Sequence, residues 1–162
     1  MNEHKIPNYW EGRCFGCSTS NSHGLKLEFW LSEAGCFTHC TIPDHLCGVE
    51  GMAHGGIISL LLDEVAEWTI ISRLGQMGLT RELLVRFLKP VPTNTQVRVE
   101  GVITEQEGAN LVLRSTIQAN DGTLLAEGES KWLIPKVATL AKIAGVEEQF
   151  LQTFLDHYPV VS

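Results

Sequence analysis

The chain reads as an α+β protein in which one helix, buried on nearly all sides, lies against a large antiparallel sheet. Three observations predict this. From Gly51 to Trp68 apolar residues surround the whole helical circumference, as in a helix from which water is largely excluded. From Leu83 to Ile134 the period changes from helical to alternating, and the breaks between runs are turn residues, Pro90, Pro92 and Asn120-Asp121-Gly122. Finally, 162 residues are the size of one domain and enough to bury a substantial core.

In chain order, Leu25, Leu27 and Phe29 alternate with Lys26, Glu28 and Trp30, predicting a strand from Gly24 that stops near Ser32 to Gly35. Cys36 to Ile42, ended by Pro43, is a second strand, and the two form a hairpin before the helix. Asp44 to Ala53 reads as a loop that approaches a ligand, and Arg73 to Gly78 as helix end and turn. Beyond it, Leu83, Val85 and Phe87 share one face, as do Val97, Val99, Gly101 and Ile103, and then Leu111, Leu113, Ile117 and Ala119. Asp121-Gly122 suits a two-residue type I′ hairpin, after which Thr123 to Ile134 completes an antiparallel meander. Lys136 to Tyr158 reads as a helical tail broken at Gly145 and ended by Pro159. The whole is expected to be one domain, residues 1–162, with an N-terminal extension (1–23) and a C-terminal helical tail (136–162).

Composition narrows the function classes. Hydrophobic residues make up 44% and charged residues 19%, a globular balance. A net charge of −7 argues against a nucleic-acid surface, which needs clustered Lys and Arg. Met1 to Tyr9 lacks the pattern of a secretory signal, and Asp63 interrupts the longest apolar run, so neither export nor a membrane span is expected and a cytoplasmic location is the default. Five cysteines in such a chain are expected as free thiols.

Cys14-x2-Cys17 raises the question of zinc, with Cys36-x3-Cys40, His39 and His45 as the remaining ligands. Cys36 and Cys40 lie in a strand, however, where a rise of roughly 3.3 Å per residue holds them about 13 Å apart. They cannot serve one tetrahedral ion, and no metal is expected.

The helix carries the chemistry. Ser59, Asp63 and Glu67 fall at i, i+4 and i+8 on one narrow stripe, where a carboxylate is costly unless paired or used. Gly55 and Gly56 let a ligand approach the amides of the first turn, which stabilise developing negative charge. Asp63 follows Gly56 by seven residues, roughly 10 Å along the axis, too far for both to touch one reacting atom within one helix. A second, antiparallel copy would bring them together.

His54-Gly55-Gly56 with Asp63 resembles the His-Gly-Gly-x6-Asp signature of hot-dog fold acyl-CoA thioesterases, in the branch containing phenylacetyl-CoA thioesterase. Gly48 and Gly51 match that family's glycine spacing, and Thr80, 17 residues after Asp63, stands where the family places a water-orienting hydroxyl. Cys14-Phe15-Gly16-Cys17, Asn21 and Gly24-Leu25-Lys26-Leu27 are similar to the opening of one group of these proteins, so the resemblance spans roughly residues 12 to 135. It implies a hot-dog fold, a sheet wrapped around the central helix, and a homodimer or a dimer of dimers, that is a homotetramer.

It also implies hydrolysis of an acyl thioester, with coenzyme A as part of the substrate and no separate cofactor. The Gly56 amide, helped by His54, would polarise the carbonyl, Asp63 of the facing subunit would act as base or nucleophile, and Thr80 would orient water. Gly55, Cys47, Gly48, Glu67 and Trp68 are candidates to contact substrate, and Arg86 and Lys89, with Arg81, to meet the phosphates of coenzyme A. Some members carry Asn or Gln where this chain has Cys47-Gly48. Glu64 leaves the stripe and reads as a rim or satisfied carboxylate. A binding protein that holds acyl thioesters without turnover is the alternative, and an enoyl-thioester hydratase is disfavoured by the Asp-containing motif.

Overall fold

A computed structural model describes residues 4–160. In chain order its elements are β1 (His4–Ile6), β2 (Phe29–Leu31), β3 (Gly35–Thr41), β4 (Cys47–Val49), β5 (Met52–Ala53), α1 (Gly55–Leu74), β6 (Leu79–Phe87), β7 (Gln96–Glu107), β8 (Asn110–Ala119), β9 (Leu124–Leu133), α2 (Val137–Ala144) and α3 (Glu148–Leu155). Seven strands form one antiparallel sheet in the order β1-β2-β3-β7-β8-β9-β6, and β4 and β5 form a small hairpin before the helix. Helix α1 packs across this sheet, burying Ile58, Leu61, Leu62, Val65, Trp68 and Ile71 against Val97, Val99, Ile117 and Ala126. The predicted helix and wrapped sheet are therefore present, and the fold class is α+β. Among the described residues no helix is long and apolar enough to cross a membrane.

Close approach of helix and sheet depends on Gly101 in β7, where an added Cβ would lie 2.7 Å from Thr69 Oγ1 and 3.0 Å from the Val65 carbonyl oxygen. At the other end Arg73 donates from Nε to the Gly35 carbonyl at 3.2 Å and through Nη2 to the Ser32 and Gly35 carbonyls, tying the last helical turn to the β2–β3 hairpin. Gly75 caps α1 in the left-handed conformation, with its N–H on the Ile71 carbonyl.

Four expectations need correction, and one region holds an element the sequence did not predict. The first strand is short: Lys26 adopts φ 51°, which breaks the extended run, and residues before Phe29 instead bond to the Cys14–Cys17 loop through Leu25 N–H to Phe15 O and Leu27 N–H to Gly16 O. The N-terminal extension contains a strand, since β1 pairs with β2. The loop before the helix holds the β4–β5 hairpin. The β8–β9 turn has three residues: Gly122 N–H bonds Ala119 O and Ala119 N–H bonds Thr123 O, while Gly122, with φ 83°, takes the left-handed position that a type I turn with a bulge requires. A type I′ turn needs positive φ at two central residues, and Asp121 does not supply it. Lastly, β6 does not join β7 in sequence. It crosses to pair with β9 and becomes the free edge of the sheet.

The C-terminal tail belongs to the core. Phe154 and Tyr158 meet the Trp68 ring edge-on at 6.4 and 5.9 Å, and the Tyr158 hydroxyl donates to Pro7 O at 2.7 Å while accepting from Tyr9 N–H at 3.1 Å. Helices α2 and α3 bury Leu140, Ala141 and Leu151 against Trp10, Met77 and Leu79. Gly101→Val forces the new methyls onto Thr69 and the backbone of α1, and overpacking of that kind costs about 1–3 kcal/mol. Urea unfolding should show that loss with little change in m-value, and an unchanged midpoint would contradict the close packing described.

Candidate active site

Three elements meet at the polar stripe of α1. Asp63 is half-buried, and the Thr80 hydroxyl donates to its Oδ1 at 2.8 Å. Thr80 reaches it because β6 is bulged: Thr80 pairs with Trp132 and Glu82 with Lys131, so Arg81 is an extra residue and the alternation that turns Leu83 and Val85 inward changes phase before Thr80. Without the bulge, inward-facing Leu83 and Val85 would leave Thr80 on the outer face. Burial raises the Asp63 carboxyl above the ordinary carboxylate range, and the Thr80 hydrogen bond opposes that rise.

The other polar groups of the helix are satisfied locally. Ser59 Oγ donates to Gly55 O at 2.9 Å. Glu67 accepts from Gly78 N–H at 3.2 Å on both oxygens, and burial holds its carboxyl well above the usual range. It pins the turn between α1 and β6. Trp68 is a core residue, stacked on Phe29 at 5.0 Å and 1% exposed.

Glu64 turns to another side of the helix. Cys14 Sγ lies 3.3 and 3.4 Å from its two oxygens, and the Cys14, Cys17 and Glu64 donor atoms all fall within 4.8 Å of one another. Hydrogen bonding from Cys17 lowers the Cys14 thiol to about 5, the same contact raises Cys17, and burial pushes Glu64 up to about 8. Among the described residues this is the cluster with metal-ligating side chains, and Cys36 and Cys40 are not part of it; both are buried in the core, and burial pushes their thiols to about 12 and 11.

At the N-terminus of α1, His54 is the cap. Its Nδ1 accepts from Gly56 N–H at 2.9 Å, and its carbonyl accepts from Ile57 and Ile58 N–H at 2.9 and 3.1 Å. The Gly56 amide, expected to be bare, is thus engaged. An Nδ1 that accepts is unprotonated, so the neutral ring carries its hydrogen on Nε2. Sequence reasoning left the role of this ring open, and the cap bond assigns its tautomer.

The expected neighbours of His54 assemble around it. Gly48 in β4 lies close to His54, whose Cα and Cδ2 an added Cβ would meet at 3.3 and 3.5 Å, a tight contact that would shift His54 by a few tenths of an ångström. Cys47 pairs with Ala53, and His54 N–H bonds Leu46 O at 2.9 Å. Phe87 lies against Gly55, 3.5 Å from where a Cβ would be, and is 57% exposed because β6 runs past the start of the helix there. Its place beside the motif had no signal in the sequence beyond an inward alternation. Arg86 reaches Glu127 at 3.6 Å, and Lys89 is exposed with its N–H on Leu125 O, at the same end of the sheet.

Residues 50–126, from the loop before α1 through β8 to the start of β9, match the family model of the thioesterase superfamily. Acyl-coenzyme A thioesterase THEM4 of Mus musculus is 34% identical over 77 residues, 48% of this chain and 33% of that protein, and the same enzyme of Rattus norvegicus is 32% identical over the same length. The chain therefore spans about a third of the curated relatives it matches. Among solved structures, the E. coli PaaI protein from the phenylacetic acid degradation operon superposes with a TM-score of 0.64 at 16% identity, covering 69% of this chain and 81% of that one. A Streptococcus mutans protein bound to acetyl-CoA gives 0.62 at 19%, covering 67% and 88%. With the His-Gly-Gly-x6-Asp motif inside the matched region, residues 50–126 are similar to the thioesterase superfamily, and the sheet wrapped around the helix that bears the motif is the hot-dog fold of these solved structures.

Proposed function

We propose that the protein hydrolyses an acyl-CoA or a related acyl thioester. The observation that carries this is Asp63: a half-buried carboxylate on the central helix whose partner is a hydroxyl, not a cation, in a chain whose helix begins with His54-Gly55-Gly56. A carboxylate raised by burial and steered by one hydroxyl is suited to take a proton from water or to attack a carbonyl itself. Thioesters are activated acyl groups, so a base and an oxyanion site suffice. The names of the THEM4 relatives and the coenzyme A ligands of solved neighbours support the same substrate class. No separate cofactor enters the reaction, since coenzyme A leaves as the thiol, and the cytoplasmic location belongs to this same proposal.

His54 Nε2–H is the donor that the cap bond leaves for the thioester oxygen, and the Gly56 amide becomes available to it by exchanging Nδ1 for that oxygen. The separation of this end of α1 from Asp63, roughly 10 Å, calls for a second subunit. Exposed apolar residues support one: Leu84 and Phe87 are 52% and 57% exposed on the nine-residue edge strand β6, beside Leu88 and close to the motif. The assembly is a homodimer with two sites, each drawing His54 from one subunit and Asp63 from the other; pairing of dimers is compatible with it.

Asp63→Asn should lower thioester hydrolysis by about 10² to 10⁴ with the fold retained, while Glu67→Gln stays near wild type. Wild-type activity in Asp63→Asn would remove the assignment. The pH dependence follows from the same contact. The base works ionised, so activity rises as pH passes the raised Asp63 value. Thr80→Ala deletes the bond that opposes that rise, so the ascending limb of the pH–rate profile should move to higher pH; a limb that stays in place would exclude Thr80 as the partner in solution.

Complementation tests the shared site. Asp63→Asn and His54→Ala homodimers should each be nearly inactive. Random reassortment makes half of the dimers mixed, and one of their two sites is intact, so activity should return to about a quarter of wild type. No recovery after verified subunit exchange, or a stable monomer in sedimentation equilibrium, would overturn the dimeric site.

A further inference from the structure

The Cys14-Phe15-Gly16-Cys17 loop is built against Glu64, on a side of α1 that the proposed reaction does not use. We propose that Cys14, Cys17 and Glu64 bind a thiophilic divalent cation of the zinc class. The donor set is two sulfurs and one carboxylate oxygen within 4.8 Å of one another, already near the spacing of ligands around one tetrahedral ion. Cys17 is buried, whereas Cys14 and Glu64 are partly exposed, which leaves one coordination position facing water.

The loop is held in place for such a role. Ser18 N–H bonds Cys14 O, Leu25 N–H bonds Phe15 O and Leu27 N–H bonds Gly16 O at 3.2, 2.8 and 2.9 Å, and Asn8 and Asn21 donate side-chain amides to Cys17 O and Arg13 O. Gly16 sits so close to the Glu64 carboxyl that a side chain there would collide with it. The loop is thus closed around the carboxylate, with two thiols aimed at it.

Charge is the second argument. Two thiols and a carboxylate converge with no Lys, Arg or His paired to Glu64 among the described residues. A divalent cation would displace two thiol protons, so the site keeps the single negative charge of the carboxylate while all three donors coordinate in their ionised forms. Strand β3 keeps Cys36 and Cys40 away from this cluster; the third ligand comes instead from the central helix, 47 positions beyond Cys17.

The test uses the full chain, reduced with a phosphine, stripped with a chelator and titrated anaerobically with cobalt(II) as the spectroscopic probe. One cobalt per chain with a thiolate-to-metal charge-transfer band, displaced by one equivalent of zinc, is the expected result. Cys14→Ser and Cys17→Ser should abolish the band. Glu64→Gln should weaken binding by more than the 10–100-fold typical of a change in an outer-shell partner. A wild-type protein that shows no band in excess cobalt overturns the site whatever the variants do, and so does a band that survives Cys14→Ser or an affinity unchanged in Glu64→Gln. Thioester hydrolysis plays no part in the readout, so this proposal and the activity stand or fall separately.

Discussion

Burying a helix that carries carboxylates is the constraint from which most of this structure follows. An ionised side chain removed from water must be paired, hydrogen-bonded or neutralised. Here each of the three carboxylates of α1 is met by a different element and by no ion-pair partner among the described residues: Asp63 by the Thr80 hydroxyl, Glu67 by the Gly78 amide, Glu64 by the Cys14 thiol. Three local features exist to supply those partners. They are the bulge in β6, the turn after the helix, and the N-terminal loop closed around Gly16.

The division of labour among the carboxylates comes from the same geometry. Glu67 is satisfied by a backbone amide at the turn, which suits a structural group. Asp63 has a single hydroxyl on one oxygen and lies where β6 leaves an exposed margin, which is what suits it to the role proposed for it. At the far end of the helix the cap bond from Gly56 to His54 Nδ1 does two things at once. It satisfies an orphan donor and turns the other ring nitrogen into a donor facing outward.

The regions on either side of the 50–126 match are not appendages. Trp68 is the junction: Phe29 stacks on one side of it, and Phe154 and Tyr158 close over it from the C-terminal tail. Tyr158 in turn bonds the N-terminal segment through Pro7 and Tyr9. The two ends of the chain therefore finish the core that the central helix begins.

How much of this was legible in the chain itself can be argued from particular residues. Periodicity is a local property, so the long helix, the alternation of Val97, Val99 and Gly101, and the break at Gly145 could all be read from order alone. The motif likewise placed His54, Gly55, Gly56 and Asp63 because its spacing is linear. What order cannot express is which distant groups meet. The phase change that aims Thr80 at Asp63 depends on β6 pairing with β9, Lys26 breaks a seemingly regular strand through its backbone angle, and the tail closes over Trp68. Cys14 and Cys17 find Glu64, not Cys36 and Cys40, because the loop folds across the helix. Sequence determined the helix and the placing of its polar groups along it; tertiary structure chose their partners, since burial assigns each charged group the donor that lies nearest in space.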